Sequence, residues 1–321
     1  MADKSSETSR EKKRHSPLVS FLIRLWKEKP LGMAGAIITL VLLFTGIFAD
    51  VLTPYGMNET CISCRLSPPS AKFLLGTDNL GRDLLTRIMY GARTSVIIGL
   101  GTSILASIVS LSIGIFSGYL GGKFDLIVQR VIDVVMCFPG LVLLMALMVV
   151  VKPGILQLIV VLGLRWGIVG SRMIRSAVIN IRENAYIDAG RSIGCSTGRM
   201  LIRHILPNIM APAIIQFTVR VPNVILVESS LSFLGLGVPP PTPSWGGMLS
   251  GGAREYMYQA PWMAIWPGLA LGIVVYGINI FGDAARDLLD PKLRGGAGRF
   301  DAKIVRKNKK NKLEAPKHQH A

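Results

Sequence analysis

Asn184-Ala-Tyr186-Ile-Asp188-Ala189-Gly190-Arg-Ser-Ile193-Gly194-Cys195-Ser196-Thr197-Gly-Arg-Met-Leu-Ile-Arg203-His204-Ile205-Leu206-Pro207 is a basic segment set between two long apolar runs. It is too polar to enter a bilayer. Asn184 is placed to cap a short helix whose apolar face is Tyr186, Ala189, Gly190 and Ile193. Gly194 falls where that helix would end in the left-handed conformation, and Ser196 or Thr197 is placed to cap a second helix. Pro207 closes the unit. A bent polar element between two apolar runs, with small residues on its exposed face, is shaped to be gripped by another protein.

The apolar runs settle the class. The chain has 321 residues, half of them hydrophobic, with a net charge of +17 and a mean hydropathy of +0.46. Leu31 to Leu52 is apolar except for Thr39, Thr45 and Asp50, and as a helix it spans roughly 30 Å, enough to cross hydrocarbon. Further runs are Ser95–Tyr119, Leu126–Val151, Ile155–Ile174, Ile209–Leu236 and Trp262–Phe281. The fold expected is an all-α membrane protein with six transmembrane helices.

Orientation follows from Lys and Arg. With both termini in the cytoplasm, that side receives Arg10 to Lys29, Lys123, Arg130, Arg172, Arg175, Arg182, Arg191, Arg199, Arg203 and the basic tail. The outer side receives Lys152, Arg254 and, in the long first loop, Arg65, Lys72, Arg82, Arg87 and Arg93. Trp26, Tyr55, Tyr119, Trp245, Trp262 and Trp266 fall near the predicted span ends, where interfacial rings belong. The polar N-terminal stretch and the full-length first run predict a retained anchor rather than a cleaved signal. Lys303 to Lys317 reads as a tail near the anionic inner leaflet, and its lack of aromatic residues disfavours nucleic acid.

The first outer loop carries Cys61-Ile-Ser-Cys64, which admits either a disulfide or two unpaired thiols outside the cell. Without a nearby His it makes a poor metal site. The loop continues as Leu75-Gly-Thr-Asp78-Asn-Leu80-Gly81-Arg82-Asp83. Leu80, Leu84, Leu85 and Ile88 predict an amphipathic helix whose Arg82, Asp83 and Arg87 face away from its apolar side.

With these motifs in hand the chain resembles a family. Permease subunits of bacterial and archaeal ABC importers carry Glu-Ala-Ala, three residues, Gly, nine residues, Ile, one residue, Leu-Pro. Here Asp188-Ala189-Gly190, Gly194 and Leu206-Pro207 match it, with Asp for Glu, Gly for the second Ala and His204 for an Ile. Leu75 to Asp83, Leu231 to Gly246, and Gly282-Asp283 through Asp290-Pro291 resemble the second permease of dipeptide, oligopeptide and nickel importers.

That resemblance implies a type I ABC importer permease fold in the cell (inner) membrane. The organisation it implies is a cytoplasmic tail (1–29), a first anchor (30–53) and an external loop with the amphipathic helix (54–93). A permease core (94–287) with its coupling segment (184–207) and a basic tail (288–321) complete it. The implied partners are a second homologous permease, two ABC ATPase subunits, an extracytoplasmic peptide-binding protein and the lipid bilayer. Tyr186, Asp188, Ala189, Gly190, Gly194 and Pro207 are assigned to ATPase coupling. The cargo is a dipeptide or oligopeptide, with a nickel chelate as the alternative.

Charges inside spans cost about 2.5–3.5 kcal/mol to insert, so they are placed against protein or water. Arg165, Arg220 and Glu228 are such groups. Two readings are open for them, a lining of the translocation path and a structural role. Gly114, Gly118 and Gly122, and Gly268 with Gly272, can pack helices within the chain or against a partner.

No enzyme is expected. Gly118 to Lys123 lacks the opening Gly and the closing Ser or Thr of a phosphate loop, the four His form no metal spacing, and no cofactor is implied. A stand-alone secondary transporter would need internal repeats and unwound spans bearing ion ligands, which the sequence does not display.

Overall fold

The computed structural model describes residues 17–289. The tail Lys303–Lys317, Asp290-Pro291 and Arg10 to Arg14 lie outside the described residues. Among the described residues there is no strand, only an isolated bridge between Thr77 and Asp83. The helices are α1 Pro17–Glu28, α2 Pro30–Ile47, α3 Ala49–Leu52, α4 Leu84–Leu120, α5 Gly122–Cys137, α6 Gly140–Val151, α7 Ile155–Arg182 and α8 Ala185–Ser192. After α9 Thr197–Arg199 and a π-helical stretch Met200–Ile205 come α10 Leu206–Phe233, α11 Trp245–Leu249, α12 Gly251–Glu255 and α13 Trp262–Leu289.

Five of these helical units are long and apolar enough to cross a membrane, and a sixth is counted if α5 and α6 form one span bent by 91°. The bend falls at Phe138-Pro139. Pro139 removes a backbone donor, and its ring disfavours helical geometry in the residue before it. Apolar side chains stay exposed on the outward faces, among them Leu40, Phe44, Val142, Val149 and Ile273. A water-soluble protein would bury such residues; a lipid-facing surface keeps them outside.

Close approach of backbones sets the centre of the bundle. A Cβ on Gly114 would lie 2.7 Å from the Ser171 carbonyl and from Ile174 Cβ, and one on Gly118 2.9 Å from the Arg175 carbonyl. Both glycines therefore press α4 onto α7, inside the subunit. A Cβ on Gly268 would only touch Leu249 at 3.8 Å, and one on Gly272 would meet nothing within 4 Å. Around this seam Ile98, Leu144, Met148, Leu158, Leu162, Val224 and Leu231 form one buried cluster drawn from α4, α6, α7 and α10. At one end of the bundle Leu25 of α1 packs on Ala284 and Leu288 of α13, and Lys29 pairs with Asp287 at 2.6 Å. The loop 53–83 caps the opposite end.

Three expectations are corrected at this end of the bundle. The predicted helix through Leu80, Leu84, Leu85 and Ile88 does not include Leu80 and is the start of a long span rather than a separate amphipathic helix. Before it lies a turn organised by Asp78, which accepts from the backbone of Leu80 and Arg82 and from Arg82 Nε at 2.6 Å. The helix begins only at Leu84, capped by the Asp83 carboxylate on Thr86 N. Arg87 does not face away: it is buried, 3.6 Å from Asp78. Trp245 is no interfacial ring either. It is 1% exposed, and its indole donates to the Ile88 carbonyl across the chain. Cys61 and Cys64 are joined by a disulfide, and the Cys61 amide donates to the Gly81 carbonyl.

Candidate coupling helix and cavity

Helix α8 lies at the bundle end shared by α1 and the close of α13. Asn184 does not cap it with its side chain; the amide donates instead to the carbonyls of Asn180 and Ile181, closing the end of α7. The far end of α8 is a Schellman turn. Gly194 N donates to Arg191 O and Cys195 N to Gly190 O, both at 3.0 Å. Gly194 has φ +78°, a backbone region that costs any residue with a Cβ about 1–2 kcal/mol. The chain therefore reverses at the expected glycine.

The helix is seated differently from the expected face. Ile187 is its buried residue, clustered with Ile174, Val178, Met200 and Ile205. Tyr186, Asp188, Ala189 and Ile193 are exposed, Ile193 to 85%. A helix must bury one side against its own chain. Here that side carries Ile187, which leaves the Tyr186–Ala189–Ile193 side free for another surface. Gly190 sits against the Met200 side chain. Arg191 stacks over the Tyr119 ring at 5.3 Å, which ties α8 to the end of α4.

Pro207 does not close the unit. It stands in the first turn of α10 but inside a continuous helical unit, so its missing N–H leaves a carbonyl of the preceding turn without its helical donor. The π-helical Met200–Ile205 leads straight into it, the widened turn giving room for the proline ring beside the preceding carbonyls. From Thr197 to Phe233 the chain is one long helical unit. Helix α8 is thus packed, through Ile187 and Gly190, on the same helical unit that continues into α10.

Midway along α10 the chain borders a cavity of about 530 Å³ shared with α7, its walls including Trp166, Gly170, Gln216, Arg220 and Asn223. Of the three predicted intramembrane charges only Arg220 lines it. Arg220 is 7% exposed, and its Nη1 donates to Ser107 Oγ at 3.2 Å. Glu228 is fully buried elsewhere, accepting from Ser232 Oγ at 2.6 Å and Ser229 Oγ at 3.4 Å. Its serine neighbours supply the hydrogen bonds that a buried carboxyl requires. Arg165 lies half-buried against Gly140, with its Nε lacking a partner. Eight positions on an α-helix turn through about 80° more than two full circles, enough to put Arg220 and Glu228 on different surroundings.

Sequence reasoning did not find Gln216 and Asn223, though a signal was present. Gln216, Arg220 and Asn223 stand at i, i+4 and i+7, one helical face in an otherwise apolar run. The Asp125–Arg175 and Asp133–Arg172 pairs that join α5 to α7 were also missed, because partners so far apart in sequence leave no local pattern.

Long lipid-facing helices, an exposed jointed helix at one end and a half-open cavity mid-bundle define a multi-pass membrane transport component. The chain belongs to the family of binding-protein-dependent transport system inner membrane components, whose pattern it matches over residues 110–295. It is similar to the dipeptide transport system permease protein DppC of Alkalihalophilus pseudofirmus, 38% identical over 84% of this chain and 88% of the relative. It is also similar to the di/tripeptide transport system permease protein DppC of Pseudomonas aeruginosa, 37% identical over 88% and 94%. The oligopeptide transport system permease protein OppC of Bacillus subtilis is 36% identical over 85% and 91%.

Proposed function

We propose that this chain is the permease subunit of an ATP-driven importer of dipeptides or oligopeptides, forming half of the translocation path. The relatives' names concern di-, tri- and oligopeptides, which favours peptide over a nickel chelate. In this reading α5 and α6 make one bent span, giving six in a type I arrangement. Both termini and α8 lie in the cytoplasm, and the 53–83 loop faces a peptide-binding protein outside. A second homologous permease completes the path, and two ATPases supply the energy.

The observation that carries the reading is α8 itself. It is short, closed by Gly194, and offers Tyr186, Asp188, Ala189 and Ile193 to solvent while Ile187 anchors it to α7 and α10. An ATPase groove receiving that face would push on Ile187 and Gly190. Through Met200 the push reaches α10, whose middle carries Arg220. Closure of the ATPases then rocks α10 against α7 and opens the cavity outward. The ATP chemistry belongs to the separate subunits.

The test is disulfide or maleimide cross-linking from Ala189→Cys, in a background lacking Cys137 and Cys195, within the purified complex. The cross-link should form to the ATPase, and membrane-impermeant labelling of the same cysteine should require broken cells. Labelling from outside intact cells, or ion-driven uptake by the lone chain, would overturn the reading.

A further inference from the structure

Resting on that importer reading, we propose that the cavity beside Arg220 binds the terminal carboxylate of the peptide in transit, with Arg220 as the residue that holds it. Every peptide with a free C-terminus has this group whatever its side chains. A site built for it would accept many sequences.

Arg220 is set for such a ligand. A guanidinium has five N–H donors, and here the recorded hydrogen bond is the one to the Ser107 hydroxyl. Among the described residues no carboxylate pairs with it, and no Asp or Glu lines the cavity. The other charged group at the wall is Arg286, so both charged side chains lining the cavity are cationic. A buried, unpaired guanidinium is unfavourable until an anion reaches it. A resident glutamate would remove that demand and also block the cargo's carboxylate.

The surroundings fix the fork in place. A Cβ on Gly170 would fall 2.7 Å from Arg220 Nη2 and 2.8 Å from Gln216 Nε2. Its absence lets both side chains lie against α7. Gln216 donates to the Gly170 carbonyl at 3.0 Å and accepts from Ser110 at 3.4 Å. Asn223 donates to Val219 O at 2.8 Å, which leaves its second N–H free. Trp166, Met173 and Val227 supply apolar wall, suited to side chains of varied shape. The volume of about 530 Å³ is in the range of sites for small organic ligands.

The test uses the whole complex in proteoliposomes with its binding protein at saturation. Uptake of a tripeptide is compared with uptake of its C-terminal amide, and the binding protein's affinity for each is measured separately. The free acid should be transported about tenfold faster, the scale of one charge-assisted hydrogen bond. Arg220→Gln should lower acid uptake about tenfold and bring the ratio near one, and Arg220→Lys should restore part of it. Equal uptake of acid and amide by the unmodified complex overturns the carboxylate site. So does an equal fall for both peptides in Arg220→Gln. If that variant does not assemble, the ratio in the unmodified complex decides alone. Dependence of uptake on ATP is read in the same vesicles; its loss would sink the importer reading whatever the ratio.

Discussion

Arg175 grips Asp125 with two edges of its guanidinium, Nε at 2.6 Å from Oδ1 and Nη2 at 2.5 Å from Oδ2. The carboxylate also accepts from Ser117 of α4. Three helices, α4, α5 and α7, are thus tied at the bundle end that carries α8. Bidentate pairing is the geometry that lysine cannot reproduce. Arg175→Lys is expected to cost about 1–2 kcal/mol, reduced toward the lower end because Arg175 is 30% exposed. Thermal unfolding of the detergent-purified chain reads this directly. A double-mutant cycle with Asp125→Asn that comes out additive would dismiss the clasp as incidental.

Gly194 concerns motion rather than stability. No atom lies within 4 Å of a Cβ built there, so a substitution is opposed by the backbone alone, at φ +78°. Gly194→Val is expected to leave membrane insertion intact and to uncouple ATP hydrolysis from transport, by misdirecting the face of α8 that carries Tyr186 and Ala189. Gly194→Asn, which tolerates the left-handed region, should keep most coupling. Substrate-stimulated ATPase activity in the reconstituted complexes separates the two, and a normal response from the valine variant would contradict the lever.

The existence of the spans was legible because roughly twenty apolar residues in a row have few other uses. Their limits were not. Helix α4 begins at Leu84 rather than Ser95, because Asp83 caps it and because Arg87 finds Asp78 to satisfy it; hydropathy alone stops at the first charges. The joint at Gly194 was legible because a left-handed helix end selects glycine. Which side of α8 is buried was not, since Ile187 and Ile193 are both apolar and the choice is made by residues of other elements, Ile174, Val178, Met200 and Ile205. At the cavity Arg220 stood out as a charge in an apolar run. Its separation from Glu228 was readable in part, since Ser232 stands four residues on from Glu228 in the same helix; that Arg220 borders a cavity with α7 is tertiary information.

The glycine pairs make a contrast between packing inside the chain and packing outside it. Gly114→Val would place a methyl-bearing carbon against Ile174 and the Ser171 carbonyl, and overpacking of this kind costs about 1–3 kcal/mol. At Gly272 a Cβ meets nothing within 4 Å, so Gly272→Leu starts from open space. The isolated chain should melt earlier with the first change and at an unaltered temperature with the second. Should Gly272→Leu nevertheless reduce co-purification of the second permease, that face of α13 belongs to the partner; equal melting losses for both would refute the contrast.

Asp50 supplies a pH dependence at the edge of the bundle. It follows α2, and it accepts from Arg93 Nη2 at 2.7 Å and from Tyr90 Oη at 2.7 Å. The Arg93 guanidinium, and after it the Tyr90 hydroxyl, hold its carboxyl below the usual carboxylate range. A carboxyl depressed in the folded state contributes stability that is present above its unfolded pKa and is lost as pH falls through the lower folded value. The carboxylate is largely exposed, 64% by side chain, so the effect is small and salt-sensitive. On acidification from about pH 6 to about pH 3, the unmodified chain should lose more of its thermal midpoint than Asp50→Asn does. The difference should shrink in high salt. Parallel acid limbs for the two proteins would mean that Arg93 is held by its bonds to the Gly46 and Ile47 carbonyls and owes nothing to the carboxylate.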